Sequence, residues 1–333
     1  MTDRAGRCRA FLDNSDWKDA TRARIAGDAS NRSYDRLTRT STGATAILMD
    51  APPEKGEDIR PFIQIAQHLR AHGLSAPEIY DADEAHGFLI LEDLGDDLFS
   101  QIIPRRTELE NPLYAGATEV LLELRRAKTP NVSVFDAPVM ADLCALAFTS
   151  YAAAKSPVEN DVLEAFTTRF AKLLSETTAG NQVLILRDYH ADNLLWLPDR
   201  TGPAKIGLLD FQDAKIGHCA YDLASLLQDV RRDVPRDLEE EMIARYVAKS
   251  EVDGAAFREA YYVLGAQRAL RILGVFARLG RELGRPHYVD MIPKVWRILS
   301  DNLDRPALSP ISDFLREVLP EPDGAMLPRL KGS

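Results

Sequence analysis

The sequence predicts an α+β protein of two lobes, a small antiparallel sheet lobe spanning residues 1–94 and a larger, mainly helical lobe spanning 95–333. Three observations carry that reading. Short strand-like runs with tight turns occupy residues 33–92, helically spaced apolar residues dominate beyond Gly95, and one strand-and-turn island at 183–213 interrupts the helices. At 333 residues the chain also exceeds the usual size of one compact domain, so two bodies with a large buried core are the default expectation.

The first strands are residues 33–37 and 44–49, joined by a Ser/Thr/Gly stretch ending at Gly43 that can turn the chain. Asp58 then stands ahead of Phe62, Ile65, Ala66 and Leu69, whose spacing predicts one helix, with Gly73 as its stop. Residues 77–80 and 87–92 read as two further strands, the second almost continuously apolar and therefore buried. In the second lobe Pro112 opens a segment with Leu113, Ala117, Val120, Leu121 and Leu124 on one face. Similar patterns recur near 138–154, 159–174, 237–249, 254–280 and 289–302. In the island, the apolar runs 183–186 and 205–209 flank turns rich in Asn, Asp and Pro. The prolines that recur from Pro306 to Pro328 predict an irregular wrap or a loose end for the tail.

Composition narrows the function. Hydrophobic residues at 45% and charged residues at 28% are the ordinary mixture of a soluble globular protein. Asp plus Glu exceed Lys plus Arg by 51 to 41, and a net charge of -10 disfavours non-specific binding to nucleic acid. The three cysteines, Cys8, Cys144 and Cys219, are widely spaced and contain no C-x-x-C, so they read as reduced thiols of a cytoplasmic protein. The N-terminal residues lack the apolar core of a signal peptide, and no uncharged apolar run is long enough to span a bilayer, so no membrane partner is expected.

The chemistry concentrates in the island. Asp188 stands five positions before Asn193, a spacing that alone means little, because about one such match is expected by chance in a chain this long. Its context strengthens it. Seventeen residues after Asn193, at the end of an apolar run, stands Asp210-Phe211-Gln212-Asp213. Phosphoryl transfer requires an acceptor oxygen held in line and neutralisation of the charge on a triphosphate. A carboxylate can take or orient the acceptor proton, while an amide oxygen and a second carboxylate supply hard ligands for Mg²⁺. Asp188, Asn193 and Asp210 match those needs in type and order, with Asp188 as catalytic base and Asn193 and Asp210 as metal ligands.

Residues 187–195 resemble the catalytic loop of aminoglycoside phosphotransferases and choline kinases, in which a histidine often follows the aspartate by two positions, as His190 does here. The resemblance implies a protein-kinase-like fold using ATP and Mg²⁺, with ATP between the lobes and the acceptor against the second. The leading histidine of the family loop is Leu186 in this chain, which removes one support of the loop. Residues 27–34 resemble the phosphate-covering turn, which implies nucleotide contacts from Ser30, Asn31 and Arg32. The strand that should carry a phosphate-binding lysine has none. Met49 stands at that position, with Arg32, Lys55 or metal charge to compensate. Glu92-Asp93-Leu94-Gly95 resembles the hinge, where the backbone at Glu92 and Leu94 would pair with adenine.

A narrower resemblance rests on residues 48–53, 91–95, 193–198, 207–214 and 221–233, which are similar to the anomeric N-acetylmuramate/N-acetylglucosamine kinases of bacterial cell-wall recycling. It implies phosphorylation of the C1 hydroxyl of these amino sugars by a monomer or homodimer. Arg231 and Arg232 would suit the lactyl carboxylate of N-acetylmuramate, since a guanidinium fork matches a planar carboxylate. His190 and Asp213 join them as candidate sugar contacts, and Asp222 resembles the buried aspartate that braces the catalytic loop. His68 and His72 share a helix face and read as solvent-exposed residues rather than metal ligands. Two alternatives remain: a kinase for another small alcohol such as an aminoglycoside, choline or homoserine, and a nucleotide-binding pseudokinase that acts as a scaffold, suggested by the missing lysine and by Leu186.

Overall fold

A computed structural model describes residues 4–25 and 31–332. Among them the strands are β1 Ala20–Ile25, β2 Ser33–Arg39, β3 Thr45–Asp50, β4 Ile79–Asp83, β5 Phe88–Glu92, β6 Gln182–Ile185, β7 Leu194–Trp196, β8 Ile206–Leu208 and β9 Lys215–His218. The chain divides into two compact units, residues 1–120 with 192–214 and residues 121–191 with 215–333. The first unit therefore takes in 95–120 and the 192–214 segment as well as the sheet.

In the first unit five strands form one antiparallel sheet in the order β1-β2-β3-β5-β4. Strand periodicity sorts the side chains. Leu37, Ala46, Leu48, Phe88 and Ile90 face one side and form a core with Cys8 and Leu12 of the helix Arg4–Asp13 and with Trp17. Tyr34 pairs with Met49 and Arg36 with Ile47, which places these four on the opposite face. The turn into β5 needs glycine: Gly87 has φ +72, and a Cβ there would collide with the Ala51 carbonyl oxygen. The expected helix is Arg60–Ala71, and it buries Phe62, Ile65, Ala66 and Leu69. Asp58 Oδ1 accepts from Arg60 N–H over 2.9 Å at its start, and Gly73, with φ +74, follows its end.

The helix Arg4–Asp13 and β1 were not foreseen. The helix buries only Cys8 and Leu12, so it shows almost no apolar period. β1 is an edge strand carrying Arg22 and Arg24, both paired with Asp35 of β2; charge of this kind guards a sheet edge and hides the strand from an apolar pattern.

The second unit is helical. The long helix Gly254–Glu282 buries sixteen residues and packs against Ala220–Leu227 and Ile292–Leu303. At Gly274 a Cβ would strike the backbone of Leu146 and Ala147, so glycine permits the close approach of that segment. The stretch Ala137–Ala154 is apolar and long enough by composition to cross a membrane. It carries Asp142, however, and breaks into the helix Ala137–Asp142, a π turn Ala147–Tyr151 and a 3-10 turn Ala152–Ala154. Met140, Cys144, Phe148 and Tyr151 lie in the core of this unit. β6 and β9 pair as a two-stranded ribbon.

The tail differs from expectation. Residues beyond Pro306 form the helices Ser309–Val318 and Met326–Leu330, and they bury Leu308, Ile311, Leu315, Met326 and Leu330. Pro306 and Pro310 occupy first-turn positions, where no intrahelical N–H bond is lost; these prolines start helices instead of preventing them.

Candidate active site

In the first unit β7 and β8 form a short hairpin paired Leu194 to Leu208, Leu195 to Gly207 and Trp196 to Ile206. The ladder extends one step further, because Leu209 N–H donates to the Asn193 carbonyl over 3.0 Å. Asn193 and Asp210 therefore stand at the same end of one hairpin. Asp210 has φ +56, a left-handed conformation that aspartate tolerates better than most side chains, and its Oδ1 accepts from Gln212 Nε2 over 2.7 Å. Phe211 is fully buried and stacks on Phe62 with centroids 4.8 Å apart, which anchors the chain immediately after Asp210. Asp213 is exposed at the following turn.

Leu94 reaches this hairpin, since a Cβ at Gly207 would lie 3.2 Å from Leu94 Cδ1. Met49 is buried in β3 opposite Tyr34. The Glu92 carboxylate is engaged by Arg200 at 2.5 Å and by Arg70 at 3.5 Å, and the Glu92 N–H donates to the Glu78 carbonyl over 2.7 Å. Only its carbonyl remains suited to a hinge contact. Arg36, on the same sheet face as Met49, holds Asp93 and Asp96, each at 2.7 Å, and these carboxylates raise its pKa. Asn31 and Arg32 converge on Glu57: Asn31 N–H donates to Oε1 over 3.2 Å and Arg32 Nε to Oε2 over 2.7 Å. Ser30 lies outside the described residues.

In the second unit the loop 186–191 is held from below by two buried carboxylates. Asp222 accepts from Leu186 N–H at 2.6 Å and from Arg187 N–H at 2.9 Å; Asp229 accepts from Ala191 N–H at 3.3 Å and from Arg231 N–H at 2.8 Å. Arg187 has φ +71, strain that is maintained by bonds on both sides of its peptide. Its carbonyl accepts from Arg268 Nη1 over 2.9 Å and from Ser225 Oγ over 3.3 Å. Asp222, Ser225 and Arg268 thus hold the backbone at Leu186 and Arg187. Burial pushes the Asp222 carboxyl up to about 6, against the lowering effect of its two backbone donors.

This bracing leaves Asp188 half-exposed while His190 is buried. Burial first, and Arg231 second, push the His190 pKa down; Asp229 and Asp188 oppose them. Asp188, Asp229 and Arg231 thus all lie within electrostatic reach of one neutral imidazole. Beside Asp229 opens a cavity of about 240 Å³ whose wall includes Arg232, Asp233, Lys294, Arg297 and Arg305. Arg232 lines it, whereas Arg231 is exposed outside its lining.

His68 and His72 are half-buried, short of the full solvent exposure expected of them. Their rings lie 4.5 Å apart and His68 Nε2 is buried, so burial and then the neighbouring ring lower the His68 pKa. Among the described residues no group of three or more His, Cys, Asp or Glu is arranged to hold a metal ion. A pair such as Asn193 and Asp210 suits Mg²⁺ without such a cage, because this ion is ordinarily bound by one or two carboxylates together with substrate phosphates and water.

Asp229, Ser225, Arg268 and Glu57 were missed from the sequence. Two signals existed: a carboxylate inside the apolar run Ala220–Leu227 is echoed seven residues later by Asp229, and Arg268 interrupts the buried stripe of the long helix.

The profile of the phosphotransferase enzyme family matches residues 21–261, which include the site residues of both units. The chain belongs to the phosphotransferase enzyme family. This phosphotransferase is 36% identical to the N-acetylmuramate/N-acetylglucosamine kinase of Caulobacter vibrioides over 93% of its own length and 95% of the relative's. The kinase of the same name from Pseudomonas putida is 28% identical, with 92% of each chain covered. Among solved structures it is similar to the GDP complex of wild-type aminoglycoside 2'-phosphotransferase-IIIa, with TM-score 0.61 and 14% identity over 90% of this chain and 98% of that one. It is also similar to a Plasmodium vivax ethanolamine kinase, with TM-score 0.60 and 13% identity over 89% and 86%. These likenesses establish the protein-kinase-like fold, with a small antiparallel sheet lobe and a larger helical lobe.

Proposed function

We propose that this phosphotransferase is an ATP-dependent kinase that phosphorylates the anomeric C1 hydroxyl of N-acetylmuramate and N-acetylglucosamine, a step of cytoplasmic cell-wall recycling. The observation that carries the reading is the braced loop. Asp222, Arg268 and Asp229 hold its backbone so that Asp188 is presented at one fixed position, and Asn193 follows five residues later beside Asp210 on the hairpin. The names of the full-length relatives support the amino sugars as acceptors.

In this mechanism Asp188 accepts a hydrogen bond from the C1 hydroxyl and aims its oxygen at the γ-phosphorus. An anomeric hydroxyl is more acidic than other sugar hydroxyls, which lessens the demand on Asp188 as proton acceptor. Asn193 Oδ1 and the Asp210 carboxylate would hold Mg²⁺, which when bound neutralises charge on the transferring phosphate. The proposed division places a nucleotide lobe at 1–94 and a catalytic lobe at 95–333, with the Glu92 carbonyl and the Leu94 N–H as adenine contacts, Met49 beneath the nucleotide, and Ser30, Asn31 and Arg32 at its phosphates. His190, Asp213, Arg231 and Arg232 are proposed on the sugar side.

The cavity beside Asp229 is of mixed charge. It is lined by five basic side chains, Arg232, Arg236, Lys294, Arg297 and Arg305, against four acidic ones. A polycationic aminoglycoside or choline calls for a markedly acidic wall, which this mixed wall, with Asp233 paired to Lys294 and Arg297, is not. ADP release measured with ATP, Mg²⁺ and a panel of alcohols tests the reading. Turnover should depend on the two amino sugars; turnover with choline or aminoglycosides alone would replace it, and none with any acceptor would favour the scaffold alternative.

A further inference from the structure

Arg305 stands two residues beyond the helix Ile292–Leu303, in the wall of the cavity beside Asp229. Its guanidinium lies over the Tyr262 ring, 4.4 Å from the centroid, and its Nε is buried with no hydrogen-bond partner among the described residues. Nor does Arg305 form an ion pair with any of them. A buried donor left unpaired costs stability and is rare in native proteins, so this one calls for a role.

The charges around it are already engaged. Asp233 pairs with Lys294 at 3.1 Å and with Arg297 at 2.8 Å. Asp229 accepts from the N–H groups of Ala191 and Arg231, and Glu239 accepts from the Tyr261 hydroxyl over 2.7 Å. Arg305 is held instead by packing and by its own backbone. Its N–H donates to the Asn302 carbonyl over 2.9 Å, and the Asn302 and Gln228 amides exchange two hydrogen bonds, at 3.1 and 2.9 Å. Gly265 of the long helix makes room for that amide pair, because a Cβ there would lie 2.2 Å from Gln228 Oε1. A guanidinium fixed on an aromatic face ahead of any counter-ion is prepared for a planar anion.

The position of the cavity indicates which anion. Asp229 lines it and also accepts from the N–H of Ala191, three residues past Asp188, so the cavity adjoins the loop that carries the proposed base. We propose that Arg305, stacked on Tyr262, binds the carboxylate of an acidic acceptor and thereby sets the preference for N-acetylmuramate over the neutral N-acetylglucosamine. The two sugars differ by the lactyl group, whose carboxylate matches a guanidinium fork. Arg305 lies beyond residue 261, where the family profile ends, so the family resemblance does not imply this role. The assignment rests on the amino-sugar reading above and deepens it.

The test is the initial rate with ATP, Mg²⁺ and each sugar for wild type, Arg305→Met and Arg305→Lys. Arg305→Met should lower the ratio of kcat/KM for N-acetylmuramate to that for N-acetylglucosamine about tenfold or more, chiefly through KM for N-acetylmuramate, because a charge-assisted bond to the acceptor is lost. Arg305→Lys keeps the charge without the planar fork and should lower the ratio by less, which keeps the test decisive if the methionine variant does not fold. A merely structural role would depress both sugars alike. A ratio equal to that of wild type in every variant that folds overturns the assignment, as does wild-type protein that phosphorylates N-acetylglucosamine but not N-acetylmuramate, and either result leaves the kinase reading standing. Wild-type protein that phosphorylates neither sugar sinks the amino-sugar reading itself, a separate outcome.

Discussion

The carbonyl of Asn193 accepts from the N–H of Leu209 over 3.0 Å, and that bond aligns Asn193 with the residue immediately before Asp210. Two oxygen donors far apart in sequence are thereby set at one hairpin end, and only one of them carries charge. In the proposed Mg²⁺ site Asp210→Asn would withdraw that charge from a hard cation, so the Mg²⁺ concentration for half-maximal turnover should rise on the order of tenfold. Magnesium titration of the initial rate checks this; an unchanged midpoint would place the metal elsewhere.

Asp188 is the residue whose removal should separate chemistry from binding. Its neighbours Leu186, Arg187 and Ala191 are tied to Asp222 and Asp229 through backbone N–H groups, so Asp188→Ala leaves the loop braced. Turnover should fall by about a hundredfold or more. ADP affinity, measured by calorimetry, should stay within about twofold of wild type. Near-normal turnover would remove Asp188 from the mechanism.

Arg268 works at a distance from the chemistry, through the Arg187 carbonyl at 2.9 Å. Arg268→Met deletes a charged donor to a strained peptide and should cost about 1–3 kcal/mol of stability, read by urea denaturation, together with a drop in kcat. A variant equal to wild type in both would show that Asp222 and Ser225 hold the loop unaided.

Asp222 makes stability depend on pH with a definite sign. Its folded pKa is raised, to about 6 from 3.8, so the folded state holds that proton more tightly and the associated stability is present below pH 3.8 and lost as pH rises through about 6. Asp222→Asn cannot titrate. The melting temperature of wild type minus that of Asp222→Asn should therefore shrink between about pH 4 and pH 6. Scanning fluorimetry across that range reads it, and a difference that is constant or grows contradicts the assignment.

What could be read in the sequence is what is local in the chain. The helix Arg60–Ala71 declares itself through four buried residues at helical spacing, and the proposed site residues Asp188, Asn193 and Asp210 stand at short spacings behind apolar runs. β7 and β9, of three and four residues, are too short to show a period. The bracing contacts escape for a different reason. Asp229 meets Ala191 across 38 residues, Arg268 meets Arg187 across 81, and Glu57 meets Arg32 across 25, each through one polar pair that no pattern along the chain encodes. The tail departs from the irregular wrap or loose end that its prolines predict because Pro306 and Pro310 sit where helices begin.

The most direct test of the whole account asks where the phosphate goes. N-acetylmuramate and N-acetylglucosamine each react as reducing sugars through their open-chain aldehydes, and a phosphate on C1 locks the ring and abolishes that reaction, whereas a phosphate on C6 leaves it intact. On the proposal that Asp188 aims the C1 hydroxyl at the γ-phosphate, ADP formed should equal reducing ends lost, mole for mole, when both are followed in one reaction. ADP formation with every reducing end retained would contradict it.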